Sequence, residues 1–347
     1  MKDHYIGNFE NIYQGYSNDK KTRFNSSSGA IVTEILCYLL KQKLIDGAVV
    51  IDFDTKKFRP KVIIAKKIEA IKKAMGSKYS IVPLNEIIEK VRGFKGKLAI
   101  VGLPCHFKVL KNLEKVDGDF RNKVVLYLGL MCSGASTNDS LDLLRSVVPE
   151  KSSDILMVKF RGRGWPGCFY VESKTAKYSI PFHNYFPSVR FFLPKFCLVC
   201  NDSFNELADI SCGDLWLPEF EKKHSDGFNL VIPRNEKSEK LLKGMQKTGL
   251  ITLEGLQLQE VINGRQYKNA SFKKSNYWLK LFLAGGSKEK LRLTKKQFRD
   301  KTEVRYIPRI VLLYIRCRLM KSELIRKHII TPILKKTLIK KMVKDGC

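Results

Sequence analysis

The segment 98–105, Leu-Ala-Ile-Val-Gly-Leu-Pro-Cys, joins a short apolar strand to a loop that contains a cysteine. The segment 124–132, Val-Val-Leu-Tyr-Leu-Gly-Leu-Met-Cys, repeats this arrangement. If the two strands are neighbours in a parallel sheet, their loops leave from the same edge of that sheet. We therefore predict that Cys105 and Cys132 deliver one sulfur each to a common point.

Outward from these two segments, strand patterns alternate with helical patterns. Helices are predicted for residues 31–43, 68–75, 84–91 and 139–147, and further strands for residues 47–52 and 62–65. Strands separated by helices predict a largely parallel α/β layer. Residues 154–216 form shorter segments that are richer in aromatic residues, glycine and proline, so we expect a mixed α+β portion there.

The composition is that of a globular protein with a strong positive charge. Hydrophobic residues make up 44% of the 347 residues and charged residues 28%, which suits a chain of about two domains. This disfavours a disordered or disulfide-stapled chain. The 64 Lys and Arg residues exceed the 34 Asp and Glu residues, giving a formal net charge of +30. That charge predicts affinity for phosphates, nucleic acids, acidic membranes or acidic partners, without choosing among them.

The positive charge is concentrated at the C-terminus. Residues 287–347 contain 19 Lys and Arg against 5 Asp and Glu, a net charge of +14. We place a boundary at Gly285-Gly286 and divide the chain into three portions, residues 1–150, 151–286 and 287–347.

The last portion is predicted to be helical after Pro308 and again after Pro332, where Leu334, Leu338 and Met342 recur at helical spacing. We expect this basic extension to be separable and to dock on an acidic membrane surface or an acidic redox partner. The alternative is a helical cap that packs on the body and leaves its lysines solvated.

The sequence shows no secretory signal and no segment that could span a bilayer. The longest apolar runs, residues 35–40 and 310–315, are far shorter than the roughly 18 residues that a membrane-spanning helix needs. We therefore expect a cytoplasmic protein that is either freely soluble or peripheral at a membrane.

Four cysteines carry the sharpest chemical signal. Cys197 and Cys200 have the C-x-x-C spacing with which two thiolates can reach one metal or cluster. Together with Cys105 and Cys132 they provide four thiolates, enough for a 4Fe-4S cluster or a structural zinc. The alternative is that Cys105 and Cys132 are small, inert core residues. Cys212 is the natural substitute if one of the four is not a ligand.

An ordered set of motifs makes the chain resemble a known family. The motifs are, in order, Arg23-Phe-Asn-Ser-Ser-Ser-Gly29, Asp46-Gly-Ala48, Gly76-Ser-Lys-Tyr79, Gly102-Leu-Pro-Cys105, Cys132-Ser-Gly134, Phe160-Arg-Gly-Arg-Gly-Trp-Pro-Gly167, Cys197-x-x-Cys200, Ala208-Asp-Ile-Ser-Cys-Gly-Asp-Leu-Trp216 and Gly227-Phe-Asn-Leu-Val-Ile232. Over roughly residues 5–245 the chain resembles the beta subunit of coenzyme F420 hydrogenases and dehydrogenases, an iron–sulfur flavoprotein family. It is also similar to members encoded in bacterial surface-polysaccharide gene clusters. Many members carry a ferredoxin-like N-terminal segment, which we expect this form to lack.

The resemblance implies a flavin-dependent oxidoreductase with a bound FAD and one 4Fe-4S cluster. It assigns residues 1–150 to a flavin-binding sheet layer, residues 151–286 to a cluster- and flavin-binding portion and residues 287–347 to a basic helical extension. The metal ligands would be Cys105, Cys132, Cys197 and Cys200. Electrons would pass between the FAD and the cluster and on to a ferredoxin-like protein, a coenzyme F420-like molecule or another small redox partner or substrate.

Flavin contacts are expected in four stretches of the sequence. The candidate residues are Ser26, Ser27, Ser28, Gly29, Ser77, Lys78, Tyr79, Arg161, Arg163 and Asp214. The serines and glycine precede a helix whose N-terminus favours a phosphate, and the lysine would neutralise a pyrophosphate. The arginines would hold an anionic ring or substrate, and the aspartate would bond a hydroxyl. The alternatives are an ordinary serine N-cap, a surface lysine, arginines that cover an aromatic face and a turn aspartate.

Other classes of function fit the sequence less well. The alternative that we retain is a non-catalytic protein that binds zinc or a cluster and docks on nucleic acid or an anionic membrane. Nucleic-acid binding is disfavoured because no reader motif is visible and the basic residues concentrate outside the motif-bearing body. A hydrolase would need a nucleophile elbow or a convincing His–Cys pair. His106, next to Cys105, is at best a supporting residue of the thiol site.

Overall fold

The computed structural model describes residues 1–217, 226–286 and 302–344. The strands are β1 (Lys2–Asp3), β2 (Gly7–Asn8), β3 (Tyr13–Ser17), β4 (Gly47–Asp54), β5 (Arg59–Ala65), β6 (Leu98–Gly102), β7 (Val124–Leu130), β8 (Ile155–Lys159), β9 (Cys168–Ser173), β10 (Lys177–Pro181), β11 (Ile210–Asp214), β12 (Asn229–Pro233), β13 (Ile251–Gly255) and β14 (Val343–Lys344).

The α-helices are α1 (Lys20–Asn25), α2 (Ile31–Lys41), α3 (Ile68–Ala74), α4 (Leu84–Arg92), α5 (Pro104–Leu113), α6 (Gly118–Lys123), α7 (Asp139–Val147), α8 (Phe182–Val189), α9 (Glu236–Lys247), α10 (Leu258–Asn263), α11 (Arg265–Lys274), α12 (Tyr277–Leu283), α13 (Ile307–Leu319), α14 (Glu323–Ile325) and α15 (Thr331–Ile339). Among the described residues, no helix is both long enough and apolar enough to cross a bilayer.

The main sheet has eight strands in the order β13-β3-β12-β11-β7-β6-β4-β5. Its centre is parallel, because β6 pairs in parallel with β4 and β7, and β7 pairs in parallel with β11. The strands on both sides of this centre are antiparallel. The adjacency of β6 and β7 confirms the arrangement predicted from the two strand–loop–cysteine segments. The sheet as a whole is mixed rather than largely parallel.

Helices cover both faces of the main sheet, which explains why its central strand β6 is apolar throughout. In β6, Ala99 packs in the core under α2, α3 and α9, while Leu98 and Ile100 pack on the opposite face under α4, α5 and α6. Successive side chains of a strand point to opposite faces, so a strand covered on both faces has no polar side. The fold is therefore α/β in its central layer, as predicted.

A second sheet of four strands, in the order β14-β10-β9-β8, forms a separate layer. Its core includes Phe160 and Tyr185 and also the C-terminal residues Leu334 and Leu338, which are 9% and 0% exposed. Strand β14 pairs with β10, close to the end of the described chain. Part of residues 302–344 thus packs on the body, as the cap alternative describes, and the separability of the extension remains a prediction.

The chain crosses between the two sheets. Strands β8 to β10 build the second sheet, and β11 to β13 then return to complete the main one. The expected boundary near residue 150 coincides with the first entry into the second sheet. Residues 151–286 therefore contribute to both layers and bring their motifs back to the edge where β6 and β7 end.

Candidate functional site

A cavity of about 570 Å³ lies at the carboxyl ends of the parallel strands β6, β7 and β11. Its wall includes Gly102, Leu130 and Asp214, at the ends of these three strands. The carboxyl edge of parallel strands is the usual ligand-binding edge of α/β sheets. The volume is in the range of cofactor pockets, so this cavity is the first place to test the predicted flavin contacts.

The serine-rich loop predicted to hold a phosphate lines one end of this cavity. The Ser27 hydroxyl accepts a hydrogen bond from the Ser77 N–H at 2.8 Å, which joins the two predicted loops. The Ser26 hydroxyl donates to the Arg23 carbonyl, and the Ser28 hydroxyl donates to the Phe228 carbonyl. Ser26 and Ser28 thus hold the loop in shape, and Ser27 is the serine best placed to contact a ligand.

The N-terminus of α2 faces the cavity through Val32 and Thr33. Ala30 precedes the helix in a left-handed conformation and provides no capping side chain. The first N–H groups of a helix attract anions, so this end is suited to a phosphate. Gly29 is required here because a Cβ atom would lie 2.3 Å from the Gly15 carbonyl oxygen.

Asn229 is a site residue that the sequence analysis did not single out. Its side-chain oxygen accepts the Ile31 N–H at 3.1 Å, and its amide donates to the Gly213 carbonyl at 3.0 Å. It therefore ties the start of α2 to strand β11, and it lines the cavity. The signal was present in the Gly227-Phe-Asn-Leu-Val-Ile232 motif, but its partners lie far away in sequence.

The predicted lysine contact, Lys78, lines the same end of the cavity. Its ammonium donates to the Ala74 and Gly76 carbonyls, at the C-terminus of α3. Burial lowers the pKa of Lys78 to about 7, and the nearby ammonium of Lys159 adds to this effect, while Asp52 opposes it. A bound phosphate would place a further anion beside this amine and would favour its charged form.

The low pKa of Lys78 gives a pH-dependent prediction. A lysine whose folded pKa is below its unfolded value makes the protein less stable as the pH falls from about 10 towards 7, since the unfolded chain binds the extra proton. We expect urea unfolding of the cofactor-free protein to show this slope and Lys78→Met to flatten it. The exposed Lys73 on α3 provides the matched control, Lys73→Met. If the unfolding free energy depends on pH in the same way in wild type and in both variants, the low pKa of Lys78 is refuted.

Arg161 and Asp214, both predicted as contacts, form a buried ion pair in the cavity wall. Arg161 is 2% exposed, and its Nε donates to the Pro166 carbonyl at 2.8 Å. Burial lowers the pKa of Arg161, but Asp214 and the Tyr79 phenol outweigh this effect and raise it overall. Its Nη2 has no hydrogen-bond partner within the described residues. A ligand that presents an acceptor here would complete the hydrogen bonding of this guanidinium.

Aromatic rings surround the guanidinium of Arg161. It lies 4.8 Å from the ring of Phe182, which stacks against Trp216 with centroids 5.9 Å apart. These rings, with Phe186 and His183, form an apolar surface on which a planar ring can pack. Arg163, in contrast, does not line the cavity: it is exposed and lies 4.4 Å over Tyr170. Its position corresponds to the alternative reading, in which the arginine covers an aromatic face.

The cysteine set is the name used here for Cys105, Cys132, Cys197 and Cys200. Within this set, Cys132 and Cys200 lie close enough to Cys105 and to Cys197 to affect their pKa values. Cys105 is exposed as a whole residue, but its thiol is largely shielded from water. This burial of the thiol raises the pKa of Cys105 to about 11, with contributions from Cys132 and Cys200. The pKa of Cys197 is raised to about 12, by burial and again by Cys132 and Cys200. Backbone N–H groups of His106 and Ala135 oppose these shifts at Cys105 and Cys197. Thiols with such pKa values need a metal or a cation to become thiolates.

Cys212 is separate from the cysteine set. It is 1% exposed in strand β11, and burial alone raises its pKa to about 12. Its side chain packs in the sheet core and also lines the cavity, and no sulfur of the cysteine set contributes to its pKa shift. His106 accepts the Leu103 N–H through Nδ1, and burial lowers its pKa to about 4, so it is neutral at pH 7.

Two cations flank the cysteine set, the buried Lys273 and the half-buried Arg190. The ammonium of Lys273, on α11, donates to the Cys132 carbonyl at 2.6 Å and to the Cys200 sulfur at 3.4 Å. Arg190 donates to the carbonyls of Ser133 and Gly134. Neither residue was identified from the sequence, because both come from helical segments outside the cysteine motifs.

In the part of the chain that the structure describes, no three His, Cys, Asp or Glu side chains are close enough together to hold a single metal ion. The donor set nevertheless has the chemistry of a cluster site, with four thiols, sulfur-directed N–H groups and two cations. A four-iron cluster binds each thiolate through a different iron, so its ligands need not converge on one ion.

Two family models match the chain. Residues 12–89 match the N-terminal region of the beta subunit of coenzyme F420 hydrogenase/dehydrogenase, and residues 95–258 match the C terminus of the same subunit. The first match contains the serine-rich loop and Lys78, and the second contains the whole cysteine set.

Individual proteins are similar over most of this length. The chain is 26% identical over 281 residues to the coenzyme F420 hydrogenase subunit beta of Methanothermobacter thermautotrophicus, covering 76% of this chain and 94% of that protein. It is 28% identical over 280 residues to the coenzyme F420-dependent sulfite reductase of Methanocaldococcus jannaschii, covering 76% of this chain and 41% of that protein. A solved structure of the F420-reducing nickel–iron hydrogenase complex from Methanosarcina barkeri contains a chain with the same fold. Its TM-score is 0.62 at 21% identity, covering 88% of this chain and 99% of that one.

Proposed function

Because the chain belongs to the coenzyme F420 hydrogenase/dehydrogenase beta-subunit family, whose members named above are redox proteins, we propose that it is an iron–sulfur flavoprotein oxidoreductase. In this proposal, electrons pass between an FAD in the cavity and a 4Fe-4S cluster on the cysteine set. FAD supplies hydride transfer and the cluster supplies one-electron transfer. The observation that carries the proposal is the position of Cys132, which lines the cavity and also belongs to the cysteine set.

The cavity wall has residues suited to different parts of FAD. The N-terminus of α2, the Ser27 hydroxyl and Lys78 would bind the pyrophosphate. The Arg161–Asp214 pair would hydrogen-bond the polar groups of a ring system that packs on the nearby aromatic side chains.

The cysteine set also has a route to the surface. Cys105 is exposed, and Phe196, adjacent to Cys197, is 50% exposed. We propose that a ferredoxin-like protein or another redox partner docks here and exchanges electrons with the cluster. A coenzyme F420-like molecule or another small substrate would exchange hydride at the cavity.

A zinc site is the main alternative for the cysteine set. A single zinc ion would need at least three ligands closer together than the described residues place them, whereas separate irons of a cluster would not. Anaerobic purification followed by an absorbance spectrum and by iron, sulfide, zinc and flavin analysis separates the two. We expect about four irons per chain with stoichiometric flavin. Zinc without iron, or iron without flavin, would refute the proposed electron transfer.

We further propose that the protein is cytoplasmic and binds the surface of anionic membranes through residues 304–344. This segment contains twelve Lys and Arg residues and a single acidic residue, Glu323. It also exposes aliphatic side chains, including Leu312 at 67% and Ile333 at 60%. A groove of about 590 Å³ along α13 is lined by apolar side chains and by three arginines, Arg305, Arg309 and Arg316. Exposed aliphatic residues interspersed with basic ones are typical of helices that lie in a membrane interface.

This docking role predicts salt-sensitive binding to lipid vesicles. Each basic residue near an anionic surface contributes on the order of 1 kcal/mol, so reversing two exposed lysines, Lys336→Glu with Lys340→Glu, should weaken binding at least tenfold. Co-sedimentation with phosphatidylglycerol vesicles at low and high salt measures this effect. The matched control reverses Lys56 and Lys57, which are exposed in the turn after β4. Equal losses in both variants, or binding that salt does not change, would reject the docking role.

A further inference from the structure

Lys273 is an unusual buried cation beside the cysteine set. The residue is 5% exposed, near the end of α11. Its ammonium donates to the Cys132 carbonyl at 2.6 Å, the Cys200 sulfur at 3.4 Å and the Asp202 carbonyl at 2.9 Å. The three N–H groups of this ammonium therefore all donate to the two loops that carry Cys132 and Cys200.

No carboxylate neutralises this ammonium within the described residues. Asp202, the carboxylate that follows Cys200 in the sequence, uses its two oxygens to accept the N–H groups of Asn205 and Glu206. The acidic side chain that contacts this ammonium is the Cys200 thiol, whose sulfur lies 3.4 Å from the Lys273 Nζ. Because a buried charge is costly unless it is paired, this lysine requires negative charge on the cysteine set.

We propose that Lys273 is a positioning residue for the cluster, which holds the Cys132 and Cys200 loops together and raises the reduction potential of the cluster by its fixed positive charge. This inference rests on the proposed function. Lys273 lies on α11, beyond residues 95–258, which is the region matched by the family model that contains the cysteines.

The expected effect follows from the charge balance at the site. Four thiolates around an iron–sulfur core carry a net negative charge, and one-electron reduction makes that charge larger. A fixed cation therefore stabilises the reduced form more than the oxidised form, and a hydrogen bond to a ligand sulfur acts in the same direction. Arg190 is the second cation, but it binds the backbone of Ser133 and Gly134.

The test compares four variants of the full-length protein with wild type. Lys273→Met and Lys273→Gln remove the charge, Lys273→Arg keeps it, and Lys268→Met removes an exposed lysine from the same helix. Iron and sulfide per chain are measured first. The midpoint potential is then measured by redox titration followed by electron paramagnetic resonance.

We expect a more negative midpoint potential in the Met and Gln variants and a potential close to wild type in the Arg and Lys268→Met variants. If the neutral variants lose iron, retention of iron by Lys273→Arg supports the role of the charge. An unchanged potential in a neutral variant with a full cluster would overturn the inference and leave the proposed function intact. Loss of iron in Lys273→Arg as well would also overturn it. Wild type without a cluster would overturn the proposed function itself.

Discussion

Replacing Cys197 by serine is expected to remove the iron and the broad cluster absorbance while flavin stays bound. Serine is a much weaker ligand, and the thiol that it replaces already has a pKa raised to about 12, so this position depends on metal binding to ionise. Flavin should remain because the cavity wall includes Cys132 but not Cys197. Iron analysis and the absorbance spectrum of anaerobically purified protein measure both effects.

Two other cysteines provide control variants for this experiment. In Cys317→Ser the new hydroxyl can donate to the Leu193 carbonyl as the thiol does, so iron and flavin should both be unchanged. Cys212→Ala should also keep its iron, because this cysteine lies in the sheet core. A cluster that survives Cys197→Ser, or that disappears in Cys212→Ala, would require a different ligand set.

Much of the central layer could be predicted from local sequence patterns. The predicted helix over residues 31–43 corresponds to Ile31–Lys41, and the strand predicted within the segment 124–132 is observed as Val124–Leu130. These elements are long, periodic and flanked by clear breaks, so that neighbouring residues determine them. The adjacency of β6 and β7 followed from the rule that successive parallel strands tend to be neighbours.

The rest of the site depends on partners that are distant in sequence. Lys273 contacts Cys132, which is 141 residues away, and Asn229 contacts Ile31, which is 198 residues away. A lysine on a helix or an asparagine in a strand has no local pattern that distinguishes it from a solvated one. Such residues can be recognised only after the sheet order has placed both segments at one edge.

Arg161 and Arg163 show the same limit within one motif. The sequence pattern does not distinguish the two arginines, because both alternate with glycine before Trp165. In the structure, Arg161 points into the cavity wall and pairs with Asp214, while Arg163 has a positive φ of 62° and lies over Tyr170. The difference between the two is a property of the backbone path, which the spacing of charges does not encode. It also provides a matched pair for mutagenesis.

Arg161→Met is expected to cost about 3–5 kcal/mol of unfolding free energy in the cofactor-free protein, the range for breaking a buried ion pair. The substitution leaves the Asp214 carboxylate without its cation and the Pro166 carbonyl without its donor. Urea unfolding of both proteins at pH 7 measures the difference.

Arg163→Met is the matched control, because it removes an equal charge from the same loop. This arginine is exposed, so the loss of unfolding free energy should be clearly smaller than for the buried Arg161, on the order of 1 kcal/mol. Adding Asp214→Asn to Arg161→Met should recover part of the lost stability, because a neutral amide then replaces the unpaired carboxylate. Equal losses in the two single arginine variants, or no recovery in the double variant, would show that the buried pair does not stabilise the cavity wall. The predicted asymmetry between two arginines of one glycine-rich loop thus tests whether this wall is built around a charged pair before any cofactor binds.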